Sequence, residues 1–279
     1  DIGLLIFGVT IALYTTFGGF RASVLNDAMQ GIVMLIGTVI LLVGVIYAAG
    51  GLHSAVDKLQ QIDPMLVSPQ GSNGILSMPF MASFWVLVCF GVIGLPNTAV
   101  RCISYRDSKA LHRGIIIGTI VIGILMLGMH LAGALGRAVM PNLTIPDQVL
   151  PALMVTVLPP LAAGIFLAAP MAAIMSNINA HLLQASATII KDLYLSVRPQ
   201  QIHNERRIKI LSSVTTLLLG LLVLLASLRP PEMIIWLNLL AFGGLEAVFL
   251  WPLVLGLYWE RANAAGALSA MFTGAICYT

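Results

Sequence analysis

The sequence predicts an all-α protein, a polytopic bundle of transmembrane helices. Of its 279 residues, 59% are hydrophobic and only 9% are charged, whereas a soluble domain carries roughly 25% charged residues. Its apolar runs approach the ~20 residues that a helix needs to cross the hydrocarbon layer. Backbone groups in lipid must find hydrogen bonds within their own segment, which favours helices, and the alternating short segments of a β-barrel do not occur.

Eight apolar segments follow one another, and we interpret them as a single transmembrane domain over residues 1–279. They comprise residues 2–17, 30–49, 80–100, 114–135, 161–190, 210–228, 233–259 and 264–279. The chain begins at Asp1 without a Met and stops inside the last apolar run. We therefore expect this bundle to be incomplete at both ends.

Basic residues are unevenly distributed between the linkers. If the linker at residues 101–113 is cytoplasmic and the segments alternate, most of the fourteen Lys and Arg fall in cytoplasmic linkers, Arg21 among them. Only Lys58, Arg137 and Arg229 then lie on the outer side. Cytoplasmic loops of membrane proteins carry such an excess of positive charge. The pattern therefore predicts the orientation of the bundle in the membrane.

The motifs of soluble enzymes are absent from the sequence. It contains no phosphate-binding GxxxxGK, no HExxH and no GxSxG pattern. No acid–base pair or activated nucleophile can be assembled from neighbouring residues. We therefore expect a protein that is not an enzyme and has no catalytic residue.

Two features could border a substrate. Gly91, Gly94 and Pro96 interrupt the third apolar segment, since proline removes a backbone donor and glycine weakens a helix. The result is either a simple kink or a helix break of the kind with which transporters hold ions and substrates. Glu246 is a carboxylate deep within an apolar segment, where charge is costly, so it either contacts a ligand or makes a structural hydrogen bond. We take these four residues as candidate substrate-binding residues.

A cluster of small and polar residues interrupts the fifth segment. Ala173, Ser176 and Asn177 have the i, i+3, i+4 spacing that places them on nearly one helix face. Their carbonyl, hydroxyl and amide oxygens suit a hard cation such as sodium. Hydrogen bonding between helices explains such residues equally well. We take the three as candidate metal ligands, for sodium.

Four stretches have a recognisable pattern: YTTFGG at 14–19 with Ala22, Asp27 and Gln30, GLPN at 94–97 with Arg101, AIMSN at 173–177, and ATIIKDLY at 187–194. These stretches resemble the sodium:solute symporter family, and the likeness extends over essentially the whole chain. Two positions depart from the family's pattern. Asn97 stands where the family usually has His, and Asn177 stands where it has Ser or Thr.

The resemblance implies two inverted five-helix repeats, the LeuT-like core of a sodium symporter, whose first helix would precede this chain. It implies a multi-pass protein of the bacterial inner membrane that imports pantothenate, driven by inward sodium flow. Sodium would be the coupling ion, bound by Ser176 and the Ala173 carbonyl. Pantothenate and the lipid bilayer would be further partners, and neither an organic cofactor nor nucleic acid is expected. The alternatives are a solute-sensing membrane domain of a signalling protein and a symporter of this family for another small organic solute.

Overall fold

The computed structural model describes residues 2–71, 76–228 and 234–278, apart from the side chains of Arg21, Ile234 and Ile235. Arg229, Met233 and Thr279, which enter the sequence interpretation, lie outside the described residues. The helices of the described part are α1 (Ile2–Ala48), α2 (Leu52–Ile62), α3 (Met78–Cys89), α4 (Pro96–Cys102), α5 (Ser108–Val139), α6 (Val149–Val157), α7 (Pro160–Phe166), α8 (Ala168–Ala187), α9 (Leu195–Val197), α10 (Glu205–Ser227), α11 (Ile234–Tyr258) and α12 (Ala264–Tyr278). Short 3-10 turns and a π-helical stretch at Thr188–Tyr194 lie between them.

Six helical stretches of the described part are long and apolar enough to cross a membrane. They are Ile2–Phe20, Ala22–Ala48, Ser108–Val139, Pro160–Val197, Glu205–Ser227 and Trp236–Tyr258, and α3 and α12 are shorter apolar helices. Together these eight stretches correspond one to one to the predicted apolar segments, which confirms the all-α transmembrane class. Their outward surfaces are apolar, and Ile115, Ile116 and Ile117 of α5 are each more than half exposed. Lipid rather than water suits such a surface.

The apolar segments at residues 2–17 and 30–49 predict a linker at residues 18–29. The structure corrects this prediction, because the first two spans meet at Gly19. The helical backbone is interrupted at this single residue, with φ 61° and ψ −167°. Because residues with a side chain are essentially excluded from this conformation, glycine is required there. The second span begins directly after the turn.

The first half of α1 runs antiparallel to α10. A Cβ atom added to Gly8 would lie 2.4 Å from the Leu224 side chain, and one added to Gly220 would lie 3.0 Å from the Ala12 Cβ. Four residues forward along α1 thus correspond to four residues backward along α10. Glycine at each crossing lets the two helices approach closely.

The second half of α1 runs antiparallel to α8. The amide nitrogen of Asn179 donates a hydrogen bond to the Ser23 hydroxyl. Farther along α1, a Cβ atom on Gly37 would lie 2.7 Å from the Ala169 Cβ. Moving forward along α1 from Ser23 to Gly37 thus corresponds to moving backward along α8 from Asn179 to Ala169, as in antiparallel helices.

Helices α8 and α10 are also antiparallel, which fixes the path of α1. The Ser186 hydroxyl donates to the Ser212 carbonyl at 2.9 Å, whereas the earlier Leu182 lies beside the later Gly220. One half of α1 opposes α10 and the other opposes α8, so the halves run in opposite directions. The first two spans form a helical hairpin with its turn at Gly19.

We expect Gly19→Ala to destabilise the full-length protein by about 1–3 kcal/mol, the usual cost of a strained backbone residue. A Cβ atom at Gly19 would meet nothing within 4 Å, so the cost arises from backbone strain rather than from a clash. Gly31→Ala is the matched control, because Gly31 also faces open space but has ordinary helical backbone. Thermal unfolding of the purified protein in detergent measures both variants. Equal unfolding midpoints would contradict a glycine-dependent turn.

The chain divides into two compact units. The first comprises Asp1–Leu42, Ile124–Met129 and Met154–Pro230, and the second comprises Val43–Gly123, His130–Leu153 and Pro231–Thr279. The candidate sodium ligands lie in the first unit, and the candidate substrate-binding residues lie in the second. The single domain and the inverted repeat stay predictions.

Candidate functional site

Helix α8 brings the three candidate sodium ligands together around one carbonyl oxygen. The Ser176 hydroxyl and the Asn177 amide nitrogen each donate a hydrogen bond to the Ala173 carbonyl, both at 3.0 Å. Ser176 is half-buried, whereas Asn177 is exposed. The serine oxygen keeps lone pairs for a cation, and so does the amide oxygen of Asn177. The predicted common face is therefore present.

A different face of α8 packs within its own unit. Asn179 is 0% exposed and Ser23, its partner on α1, is also buried. Leu182 and Ser186 continue this buried stripe. At about 3.6 residues per turn, Ser176 lies only about a sixth of a turn from Asn179, at the edge of this stripe, whereas Asn177 lies nearly opposite. The candidate sodium ligands thus extend from the edge of the packed face to the exposed side of α8.

Asn179 is a buried polar residue that the sequence did not indicate as a ligand. One side of its amide contacts Ser23, while its Oδ1 atom is buried and has no hydrogen-bond partner among the described residues. The signal in the sequence is a heptad spacing, since Ala172, Asn179 and Ser186 are each seven residues apart. Such spacing marks one helix face, and all three residues are buried on it.

The interruption near Pro96 is a helix break and not a simple kink. Helix α3 ends at Cys89, a 3-10 turn follows at Gly91–Gly94, and Leu95 has extended backbone before α4 begins. Pro96 occupies the first position of α4, where its missing N–H leaves no helical hydrogen bond unmade. The break therefore divides the third apolar segment into two short helices.

Helix α11 approaches this break closely at two glycines. A Cβ atom on Gly91 would lie 2.0 Å from the Glu246 Oε2 atom, and one on Gly94 would lie 2.8 Å from the backbone of Leu250. Glu246 is 6% exposed. The structure thus brings Gly91, Gly94 and Glu246 together, although 152 or more residues separate the glycines from the carboxylate in the chain. Pro96 lies beyond the break, at the start of α4.

A cavity of about 680 Å³ lies beside Gly91 and Glu246. Its walls come from α3, the 3-10 turn, α11 and α12, and most of the side chains that line it are apolar. Helix α12 is held against α11 by close backbone contact, because a Cβ on Gly274 would lie 2.2 Å from the Ala247 carbonyl oxygen. Tyr278 of α12 also lines the cavity, and its hydroxyl donates to the Leu240 carbonyl at 2.9 Å.

These features define a class of protein: a multi-pass helical membrane protein with an apolar segment broken beside a buried carboxylate. The family model described as "Sodium:solute symporter family" matches residues 1–274. The chain belongs to the sodium:solute symporter family, which confirms the resemblance noted in the sequence. Membership agrees with the six helical stretches that are long and apolar enough to cross a membrane.

Curated relatives agree with this family. The sodium/pantothenate symporter of Escherichia coli (strain K12) is 77% identical over 278 residues, covering 100% of this chain and 58% of the relative. The sodium/pantothenate symporter of Haemophilus influenzae is 64% identical over 271 residues, covering 97% and 56%. The osmoregulated proline transporter OpuE of Bacillus subtilis is 30% identical over 279 residues, covering 98% and 56%. The chain spans a little more than half the length of these relatives.

Proposed function

We propose that the full-length protein is a symporter that imports pantothenate together with sodium across the inner membrane. The observation that carries this proposal is 77% identity, over the whole chain, to a protein named sodium/pantothenate symporter. The proline transporter is far less similar, at 30% identity. Pantothenate is therefore favoured over another small organic solute of the same family.

The sodium ion is held by Ser176 and the carbonyl of Ala173, and Asn177 contributes its amide oxygen. Support comes from the geometry of α8, where the half-buried hydroxyl lies 3.0 Å from that carbonyl. Asn177 is exposed and departs from the family's pattern, whereas Ser176 is half-buried. Ser176 is therefore the stronger ligand of the two. The remaining ligands come from the first core helix of the family, as the resemblance implies.

Pantothenate is bordered by the helix break, with Gly91, Gly94 and Pro96 along one side and Glu246 on α11. The cavity beside the break supports this proposal, because Gly91 and Glu246 both line it. Sodium and solute are coupled because each shifts one conformational equilibrium toward the state that binds the other. No covalent step is involved. A solute-sensing domain is not favoured, since the curated relatives are named as symporters or transporters.

We expect labelled pantothenate to enter vesicles that contain the full-length protein only when sodium is present outside. Choline replaces sodium in the parallel arm, which keeps ionic strength constant, and vesicles without the protein give the background. A sodium ionophore should remove the gradient and stop accumulation. Uptake at the same rate in choline would exclude sodium coupling. Uptake of labelled proline in preference to pantothenate would reassign the solute.

A further inference from the structure

The carboxylate of Glu246 is a buried acceptor without a partner in the described part of the chain. Its Oε2 atom is buried and has no hydrogen-bond partner there. The group lines the cavity of about 680 Å³ and is 6% exposed. An isolated buried carboxylate is costly, so a ligand with donor groups would relieve it.

The other polar groups of the cavity do not satisfy this carboxylate. The Ser83 hydroxyl donates to the Pro79 carbonyl at 2.9 Å, and the Tyr278 hydroxyl donates to the Leu240 carbonyl at 2.9 Å. Both hydroxyl groups therefore donate to backbone carbonyls and not to Glu246. The remaining walls are mainly apolar side chains, among them those of Val86 and Leu87. A matching ligand has an apolar body and hydroxyl or N–H donors that reach Glu246.

Pantothenate has such an end, and it lies opposite its own carboxylate. One end of the molecule carries hydroxyl groups and an amide N–H around a carbon that bears methyl groups. The other end is a carboxylate, which an ionised Glu246 would repel. We infer that the hydroxyl-bearing end of pantothenate occupies this cavity and donates hydrogen bonds to Glu246. The carboxylate end of pantothenate is directed away from Glu246. This inference rests on the proposed function and specifies the orientation of the solute.

Gly91 sets the position of the carboxylate. A methyl group at this residue would lie 2.0 Å from Oε2, so the carboxylate occupies space that only glycine leaves open. Gly91→Ala must therefore displace Glu246 without changing its charge. Gly256 of the same helix α11 offers a matched control, because a Cβ atom there meets nothing within 4 Å.

The test is equilibrium binding to the purified full-length protein in saturating sodium. Labelled pantothenate is displaced by three unlabelled probes: pantothenate, an analogue whose terminal hydroxyl is replaced by hydrogen, and pantothenol, which has a hydroxyl in place of the carboxylate. In the wild type, loss of the hydroxyl should weaken binding about tenfold, the scale of a hydrogen bond to a charged group. Glu246→Gln and Gly91→Ala should each weaken pantothenate binding about tenfold. They should also bind the deoxy analogue nearly as well as pantothenate, and Gly256→Ala should behave as the wild type.

The outcomes separate the inference from its rivals. The ratio of pantothenol to pantothenate affinity should be the same in the wild type and in Glu246→Gln. If the substitution instead improves pantothenate relative to pantothenol, the carboxylate end lies beside Glu246 and the orientation is wrong. Undiminished discrimination of the deoxy analogue by Glu246→Gln also overturns the inference. If uptake did not require sodium but the relative affinities for the three probes were as expected, only the proposed sodium coupling would be refuted. A wild type without displaceable binding would refute both.

Discussion

Gly94→Ala should lower sodium-dependent uptake by the full-length protein to the background level. The added Cβ would lie 2.8 Å from both the Cα and the backbone nitrogen of Leu250. A side chain can rotate away from such an overlap, but the backbone of a packed helix must move as a whole. Overpacking of this kind costs roughly 1–3 kcal/mol, and the strain falls on the break that borders the proposed solute. Labelled pantothenate uptake per inserted molecule is the measurement.

The control for this substitution is Gly118→Ala on α5. Gly118 faces open space, since a Cβ atom there meets nothing within 4 Å, so uptake should be unchanged. Quantifying each variant in the membrane separates lost insertion from lost transport. Normal uptake by Gly94→Ala would show that α11 can withdraw from the break without functional cost. The close approach of Leu250 would then be incidental to transport.

Ser176→Ala is expected to raise the sodium concentration that gives half-maximal uptake by at least roughly tenfold. Even changes to the groups that only orient metal ligands lower affinity by about 10–100-fold, so the loss of a ligand should not cost less. Asn177→Ala should have a smaller effect. Asn177 is exposed, so its amide oxygen contributes less to a partly buried site than the half-buried Ser176 hydroxyl does.

The two variants are compared by uptake against sodium concentration at saturating pantothenate. Both substitutions leave a good helix former in α8, so helix propensity changes little. A larger shift for Asn177→Ala than for Ser176→Ala would reverse their assigned roles. Equal, unshifted curves for both would remove α8 from the sodium site.

Local features were predictable from the sequence because they depend on neighbours along the chain. The apolar segments, the common face of Ala173 and Ser176, and an interruption near Pro96 follow from composition, helical spacing and the absence of a proline N–H, although the sequence did not decide between a kink and a break. The expected linker between the first two spans was wrong because a single glycine suffices to reverse the chain. A positive φ at Gly19 is not encoded in the apolar pattern.

Contacts between distant segments were not predictable in the same way. Glu246 was identified as costly at its depth, but its contact with Gly91 depends on how α11 crosses the break. The burial of Asn179 likewise depends on a neighbouring helix, because its amide contacts Ser23 of α1. These contacts depend on which helices are neighbours, and one helix's periodicity carries no information about its neighbours.

The hairpin at Gly19 has a consequence for biogenesis. A turn of one residue cannot extend across a hydrocarbon layer of ~30 Å, so neither half can change its direction of insertion without the other. Arg21 is the only charged residue between Asp1 and Asp27 and stands beside this turn, where a positive charge favours retention on the cytoplasmic face. One glycine and one arginine together make the first two spans a single unit of membrane insertion, with a topology decided once for both.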